Sequence, residues 1–271
     1  MPGTVCLTFD LDAVALWIDT FRSSSPSAIS RGEYGPEVGL PRILDLLARQ
    51  SVTATFFIPG SVAELYPDSI RLIRDQGHEL ASHGDTHKLL PGMVHEDERR
   101  TLERGIDRLV KASGEQPVGF RAPAWELSFQ TVEILETFGI RYDSSQFASD
   151  FRPYRARSGD RIEEGAWIRG RASSIWEFPI AWELDDVPYF LVHPPAFSGG
   201  TDPRTVGRIW QDELDYMVAN EPAGLFTLTM HPQVIGRGPR VLMLERFIEH
   251  ARGLGCDFSS LNHALHRLEQ S

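Results

Sequence analysis

At 271 residues the chain has room for one α/β barrel of roughly 250 residues and little besides. Its net charge of −11 and pI near 5.3 repel phosphate backbones and anionic lipid, so neither nucleic acid nor a membrane surface is expected as a partner. No apolar run approaches the roughly 18 residues of a membrane helix, and the opening MPGTVCLTFD lacks the basic-then-apolar order of a secretory leader, so a cytoplasmic protein is expected.

In chain order, residues 5–10 read as a strand, and Leu40, Ile43, Leu44 and Leu47 follow at helical spacing. Residues 52–58 form a second strand; Pro59-Gly60 opens a helical stretch ending near Gly77, and residues 78–82 give a third strand. A charged helix from about His95 carries Leu102, Ile106, Leu109 and Val110 on one face and stops at Ser113-Gly114, before a strand candidate at 118–121. A helix over 129–138 precedes a strand at 140–143. Asp202-Pro203 is an N-cap and first-turn pair opening a helix with Val206, Trp210, Leu214 and Met217 on one face. A strongly apolar strand at 225–230, a helix through Leu244, Phe247, Ile248 and Ala251, a short strand at 256–258 and a last helix through Leu261, Leu265 and Leu268 complete the chain.

Strands alternating with helices predict a parallel sheet covered by helices, and seven or eight strand candidates favour a barrel over an open sheet, in a single domain spanning residues 1–271. Residues 18–39 and 146–170 break the rhythm and read as long loops that cover or build a site. Cys6 and Cys256 fall in the first and last strands and read as reduced packing residues.

Three separated segments carry the chemistry: FDLD at 9–12, HGDTH at 83–87 and TMHP at 229–232, each following an apolar strand. Histidines at i and i+4 can turn to one side, and a carboxylate from another strand completes a three-ligand site that leaves a position for water. His83, His87 and Asp12 fit that role, although two histidines four apart are as readily solvated loop residues. Asp10 and Asp12 alternate by two and face one way in a strand, an expensive pairing unless a cation or Arg relieves it. Trp125, Trp176 and Trp182 are candidate pocket walls, Trp125 and Trp182 the stronger. The remaining histidines, His193 included, read as structural or surface residues.

The ensemble resembles the polysaccharide deacetylase superfamily, the NodB-like carbohydrate esterases, over roughly residues 4–235. Its motifs correspond to Thr8-Phe9-Asp10-Leu11-Asp12, His83-Gly84-Asp85-Thr86-His87, Arg121-Ala122-Pro123 and Leu228-Thr229-Met230-His231. The resemblance implies an α/β fold, an irregular (β/α)7-8 barrel related to the TIM barrel. It further implies a metal-dependent hydrolase of non-peptide carbon-nitrogen bonds, with Asp12, His83 and His87 holding a divalent metal, zinc first and cobalt, iron, nickel or manganese also suited. Asp10 would be the general base, Arg121 its ionic partner and His231 the general acid, with the Ala124 N–H as an oxyanion donor and Trp125 and Trp182 against the substrate.

Asp143, Asp185 and Asp186 are all candidates to support His231. Three departures stand out: Leu11 separates the aspartates, Gly84 follows His83, and Ala124 stands where an aromatic is common. The first is similar to a cytoplasmic branch of peptidoglycan-deacetylase-like, allantoinase-like and cyclic imide hydrolase proteins. The expected partner is thus an amino-sugar or a small cyclic imide or ureide, with a catalytically inactive carbohydrate-binding barrel as a further reading. HGDTH lacks the Glu of a zinc-protease HExxH, and barrels of this kind often form homo-oligomers.

Overall fold

The computed structural model describes residues 3–193 and 199–270. Eleven strands are found there: β1 (Thr4–Asp10), β2 (Thr55–Ile58), β3 (Glu79–Ser82), β4 (Gly119–Phe120), β5 (Tyr142–Asp143), β6 (Tyr154–Ser158), β7 (Arg161–Glu163), β8 (Ala166–Ile168), β9 (Arg171–Glu177), β10 (Leu225–Met230) and β11 (Asp257–Phe258). The main sheet runs β10-β1-β2-β3-β4-β5-β9-β6, with β11 added to β1, and only the β6 and β9 pairing is antiparallel. A parallel bridge from Asp185 to Thr229 brings the chain after β9 back to β10. The curled sheet therefore approaches closure without a continuous ladder, which is the irregular barrel expected.

Parallel register sets the site. Phe9 pairs with Met230, so Asp10 and His231 follow at the same level; Ser82 pairs with Phe120, so His83 and Arg121 do likewise. Every motif thus leaves its strand at the carboxyl end, where barrel sites form. Helices cover the outside through the faces read from the sequence: Leu40, Ile43, Leu44 and Leu47 are buried in the helix Leu40–Arg49, and Val206, Trp210, Leu214 and Met217 in Pro203–Asn220. The Asp202 side chain accepts from the Arg204 N–H, with Pro203 in the first turn, as predicted for that cap. Cys6 and Cys256 are buried and free, each in a separate apolar cluster.

Two expectations are corrected. Residues 18–39 do not form a long loop: after the π-helical turn Leu16–Thr20, Ser25 caps a helix Pro26–Tyr34, and a second π-helical turn, Gly35–Gly39, runs into the next helix. Glycine here serves packing rather than flexibility, because a Cβ on Gly39 would stand 2.0 Å from the Pro232 carbonyl oxygen. Residues 146–170 are not loop throughout either. They hold β6 and the hairpin of β7 and β8, which turns at Glu164-Gly165 with φ of 51° and 81°, the signature of a two-residue type I′ turn. Among the described residues no helix is long and apolar enough to cross a membrane.

Candidate active site

Asp10 ends β1 and is buried, with Oδ1 accepting from Arg121 Nη1 at 2.8 Å. The fully buried Arg121 is held on every side: Nη1 also donates to Thr8 Oγ1 (2.9 Å), Nε to the Ser144 carbonyl (2.9 Å) and Nη2 to Ser144 Oγ (2.9 Å), and its plane lies 4.1 Å from the Phe57 ring centroid. Burial alone would raise the Asp10 carboxyl, but Arg121, helped by His83 and His231, outweighs it and holds the group below its ordinary value. Asp10 Oδ2 stands 3.9 Å from both His83 Nε2 and His231 Nε2.

Asp12, His83 and His87 converge beside it. Asp12 Oδ1 lies 3.4 Å from His83 Nε2 and 3.6 Å from His87 Nε2. Both Asp12 Oδ1 and His83 Nε2 are buried with no hydrogen-bond partner, an arrangement that costs free energy unless a cation fills the gap. The imidazoles are oriented for that. His83 Nδ1 donates to the Arg121 carbonyl at 2.7 Å, which leaves Nε2 as the free lone pair. Thr20 Oγ1 donates its one proton to the His87 carbonyl (2.9 Å) and so accepts from His87 Nδ1 (2.5 Å), which fixes the same tautomer on the second ring. Burial lowers His83 to about 4 and His87 well below its usual value, so both rings are neutral at pH 7. Burial pushes Asp12 up to about 7, with His231 pulling it down and Asp10 pushing it further up.

Gly84, between these ligand candidates, has φ of +72°, and a Cβ on Gly105 of the facing helix would meet its carbonyl oxygen at 2.4 Å. The hydroxyl residue common at that point would be strained in this backbone. Asp85 is buried and tied to Arg104 Nε (2.6 Å) and Arg108 Nη1 (2.9 Å) of the helix His95–Ser113, which anchors the turn.

On the opposite side, His231 Nδ1 donates to Asp186 Oδ1 at 2.8 Å, and its backbone N–H to Asp186 Oδ2 at 3.1 Å. Asp185 is farther, at 3.6 Å, and Asp143 lies in another cluster altogether. Asp186 is therefore the supporting carboxylate among the three candidates. Burial would depress His231, but Asp185 and Asp186 more than offset it and hold the imidazolium well above its ordinary range. Burial pushes Asp185 itself up to about 8, against the pull of His231.

These groups floor a cavity of about 80 Å³ walled by Leu16, Phe21, Ala124, Trp125, Trp182 and Leu191. Ala124 and Trp125 take consecutive positive φ values of 51° and 62°, rare for residues with side chains and characteristic of functional turns. Trp125 and Trp182 pack with centroids 4.1 Å apart and planes tilted by 31°, Trp182 half out in solvent, and both line the cavity. Trp176 is not among the lining residues: it carries the Arg155 guanidinium at 3.9 Å and packs with Tyr142 and Phe178. His193 packs on Phe21, ring centroids 4.0 Å apart, and edge-on to Trp17 at 5.6 Å.

The family profile described as polysaccharide deacetylase matches residues 26–142. The peptidoglycan deacetylase of Helicobacter pylori is 35% identical over 255 residues, covering 89% of this chain and 87% of that protein. The chain belongs to the polysaccharide deacetylase family. A solved Mycobacterium smegmatis protein assigned as a polysaccharide deacetylase superposes with a TM-score of 0.86 at 34% identity, covering 99% of this chain and 91% of its own. The fold is shared more widely, with Puue allantoinase at a TM-score of 0.79, 22% identity and 96% and 88% coverage.

Within this family of deacetylase-type hydrolases, the chain brings together Asp10, Asp12, His83, His87, Ala124, Trp125, Trp182 and His231 around one cavity, with Arg121 directly behind. Sequence reasoning missed Thr20, hidden in a stretch read as loop, and Gln233, whose Nε2 lies 3.4 Å from Asp12 Oδ2. Gln233 follows the HP of the last motif by one residue, and that adjacency was the available signal.

Proposed function

We propose that this chain, as one barrel domain, hydrolyses a non-peptide amide with the help of a divalent metal, removing the acyl group from an N-acetylated amino-sugar. The observation that carries this reading is the single cavity in which two neutral imidazoles and an unpartnered Asp12 oxygen converge between Asp10 and His231. Asp12, His83 and His87 would hold the metal, zinc being the first candidate for two nitrogens and one carboxylate. Such a metal, when bound, makes hydroxide available near neutral pH and polarises a carbonyl.

The chain's own residues supply the rest. Asp10 offers Oδ2 to the water proton while Arg121 fixes Oδ1 and keeps the carboxylate ionised. The Ala124 amide, in its left-handed turn at the cavity wall, is positioned as an oxyanion donor. His231 holds its proton at Nε2, toward the cavity, because Asp186 takes the Nδ1–H. It hands that proton to the departing nitrogen, which is a poor leaving group otherwise.

His231 is held well above its usual value and Asp10 below its own, so the active protonation state spans neutral pH. Replacing Asp186 with Asn removes part of what raises His231, and the alkaline limb of the kcat/KM profile is expected to move to lower pH. An unmoved limb assigns that ionisation elsewhere. Thr20→Val removes the acceptor for His87 Nδ1 and is expected to weaken metal binding about 10–100-fold, with Thr20→Ser close to the parent. Metal titration with a competing chelator reads both.

A second reading, opening of a small cyclic imide or ureide, is favoured by the cavity wall. Among the described lining residues outside the proposed ligands, base and acid, the polar side chains are Thr20, Asp185 and the two indoles; the Thr20 hydroxyl is spent on His87 and Asp185 Oδ1 accepts from the Val187 N–H, which leaves few groups to meet sugar hydroxyls. Incubation of metal-loaded protein with N-acetylglucosamine oligomers, succinimide and allantoin separates the readings. Acetate release supports the first, ring opening the second, and turnover of none rejects both.

A further inference from the structure

Behind Arg121, Asp143 and Glu177 face one another as register partners on β5 and β9, both fully buried. Glu177 Oε1 accepts from the backbone N–H of Ser145 (2.9 Å) and of Gln146 (3.0 Å), and Asp143 Oδ1 accepts from the Ser145 hydroxyl (2.8 Å). The other two oxygens, Asp143 Oδ2 and Glu177 Oε2, find no donor among the described residues except the opposing carboxyl. Two carboxyl groups hydrogen-bond only when one keeps a proton, so the pair carries a single negative charge. Burial pushes both carboxyls up, and the Asp143 charge pushes Glu177 further, which favours a proton held between them.

The pair anchors a turn that reaches the reacting groups by two arms. Ser144 gives its carbonyl and its hydroxyl oxygen to Arg121, which in turn holds Asp10. Ser145 Oγ accepts from the Ala122 N–H at 2.9 Å, immediately before the left-handed Ala124 and Trp125. Consecutive positive φ values at residues with side chains persist only when the surroundings enforce them; the Ser145 contact holds the amino-terminal side of this turn, beside the turn's own Trp125 N–H to Ala122 carbonyl bond of 2.8 Å.

We propose that Asp143 and Glu177, bridged by one proton, are positioning residues that set the Ala124 amide and the Arg121 arm through Ser145 and Ser144. The inference rests on the reading of the cavity as an amide-hydrolase site. Neither carboxyl touches substrate; the role is to hold the oxyanion side in place so that nothing need be reorganised at the moment of reaction.

Two substitutions in the full, metal-loaded chain test this. Ser145→Ala cuts the link to Ala122, and kcat on whichever substrate the parent cleaves is expected to fall about tenfold or more, with KM and metal content nearly unchanged. Glu177→Gln keeps a donor toward Asp143 and an acceptor for both amides, and is expected to retain kcat within about threefold. At neutral pH, an infrared difference spectrum of parent minus Glu177→Gln is expected to show the carbonyl band of a protonated carboxylic acid. Unchanged kcat in Ser145→Ala, or a loss in Glu177→Gln as deep as in Ser145→Ala, overturns the positioning role. A missing band overturns the shared proton. A parent that cleaves no amide overturns the hydrolase reading instead, and the infrared result still decides the proton.

Discussion

Asp10→Asn is expected to lower kcat by about 10²–10⁴-fold, the usual worth of a positioned general base, with the bound metal retained. The substitution is isosteric, and the amide oxygen still accepts from Arg121 Nη1, so the framework of Thr8, Arg121 and Ser144 survives. What is lost is the second oxygen, which faces His83 Nε2 and His231 Nε2 at 3.9 Å and in the parent can take a proton. Steady-state kinetics beside metal analysis checks it. A kcat close to that of the parent would remove Asp10 from the reaction and leave it a structural partner of Arg121.

Arg121→Leu should destabilise the fold by about 3–5 kcal/mol at neutral pH, because it strips the cation from a buried carboxylate. Arg121 is fully buried and Asp10 nearly so, and the guanidinium also closes hydrogen bonds to Thr8 and Ser144 that leucine leaves open. The sign with pH follows from the depressed Asp10 value. The stabilisation is present above the unfolded carboxyl pKa of about 3.9 and fades as pH falls through the lower folded value, so parent and variant converge in acid. Adding Asp10→Asn to Arg121→Leu should recover part of the loss, since a neutral amide no longer needs the cation. Urea unfolding of the four proteins at neutral and acid pH measures both effects. A cost below about 1 kcal/mol, the range of an exposed pair, would contradict the account.

Sequence legibility followed the physics of each segment. The apolar strands and their parallel order could be read locally, and once Phe9 is level with Met230 and Ser82 with Phe120, the motif residues meet with no further information. The partner of His231 could not be read locally. Asp185 and Asp186 are neighbours with the same chemistry, and the choice between them depends on the bridge of Asp185 to Thr229 and on the turn of Asp186 into helical φ and ψ. Thr20 was concealed because a Ser- and Gly-rich stretch suggests flexibility, whereas here Ser25 caps a helix and the glycines admit close backbone contacts. The β6 to β9 excursion was concealed because its strands owe their existence to pairing across the sheet rather than to alternating apolar residues.

The central claim is that Asp12, His83 and His87 hold a divalent metal on which amide hydrolysis depends. Titration of metal-stripped protein with zinc, following amide cleavage at each addition, tests it most directly. The account predicts that activity rises in proportion to added metal and levels off at about one equivalent per chain, and that Asp12→Ala neither binds the metal nor gains activity. Full activity in the stripped protein, or an Asp12→Ala chain that binds and responds like the parent, would contradict it.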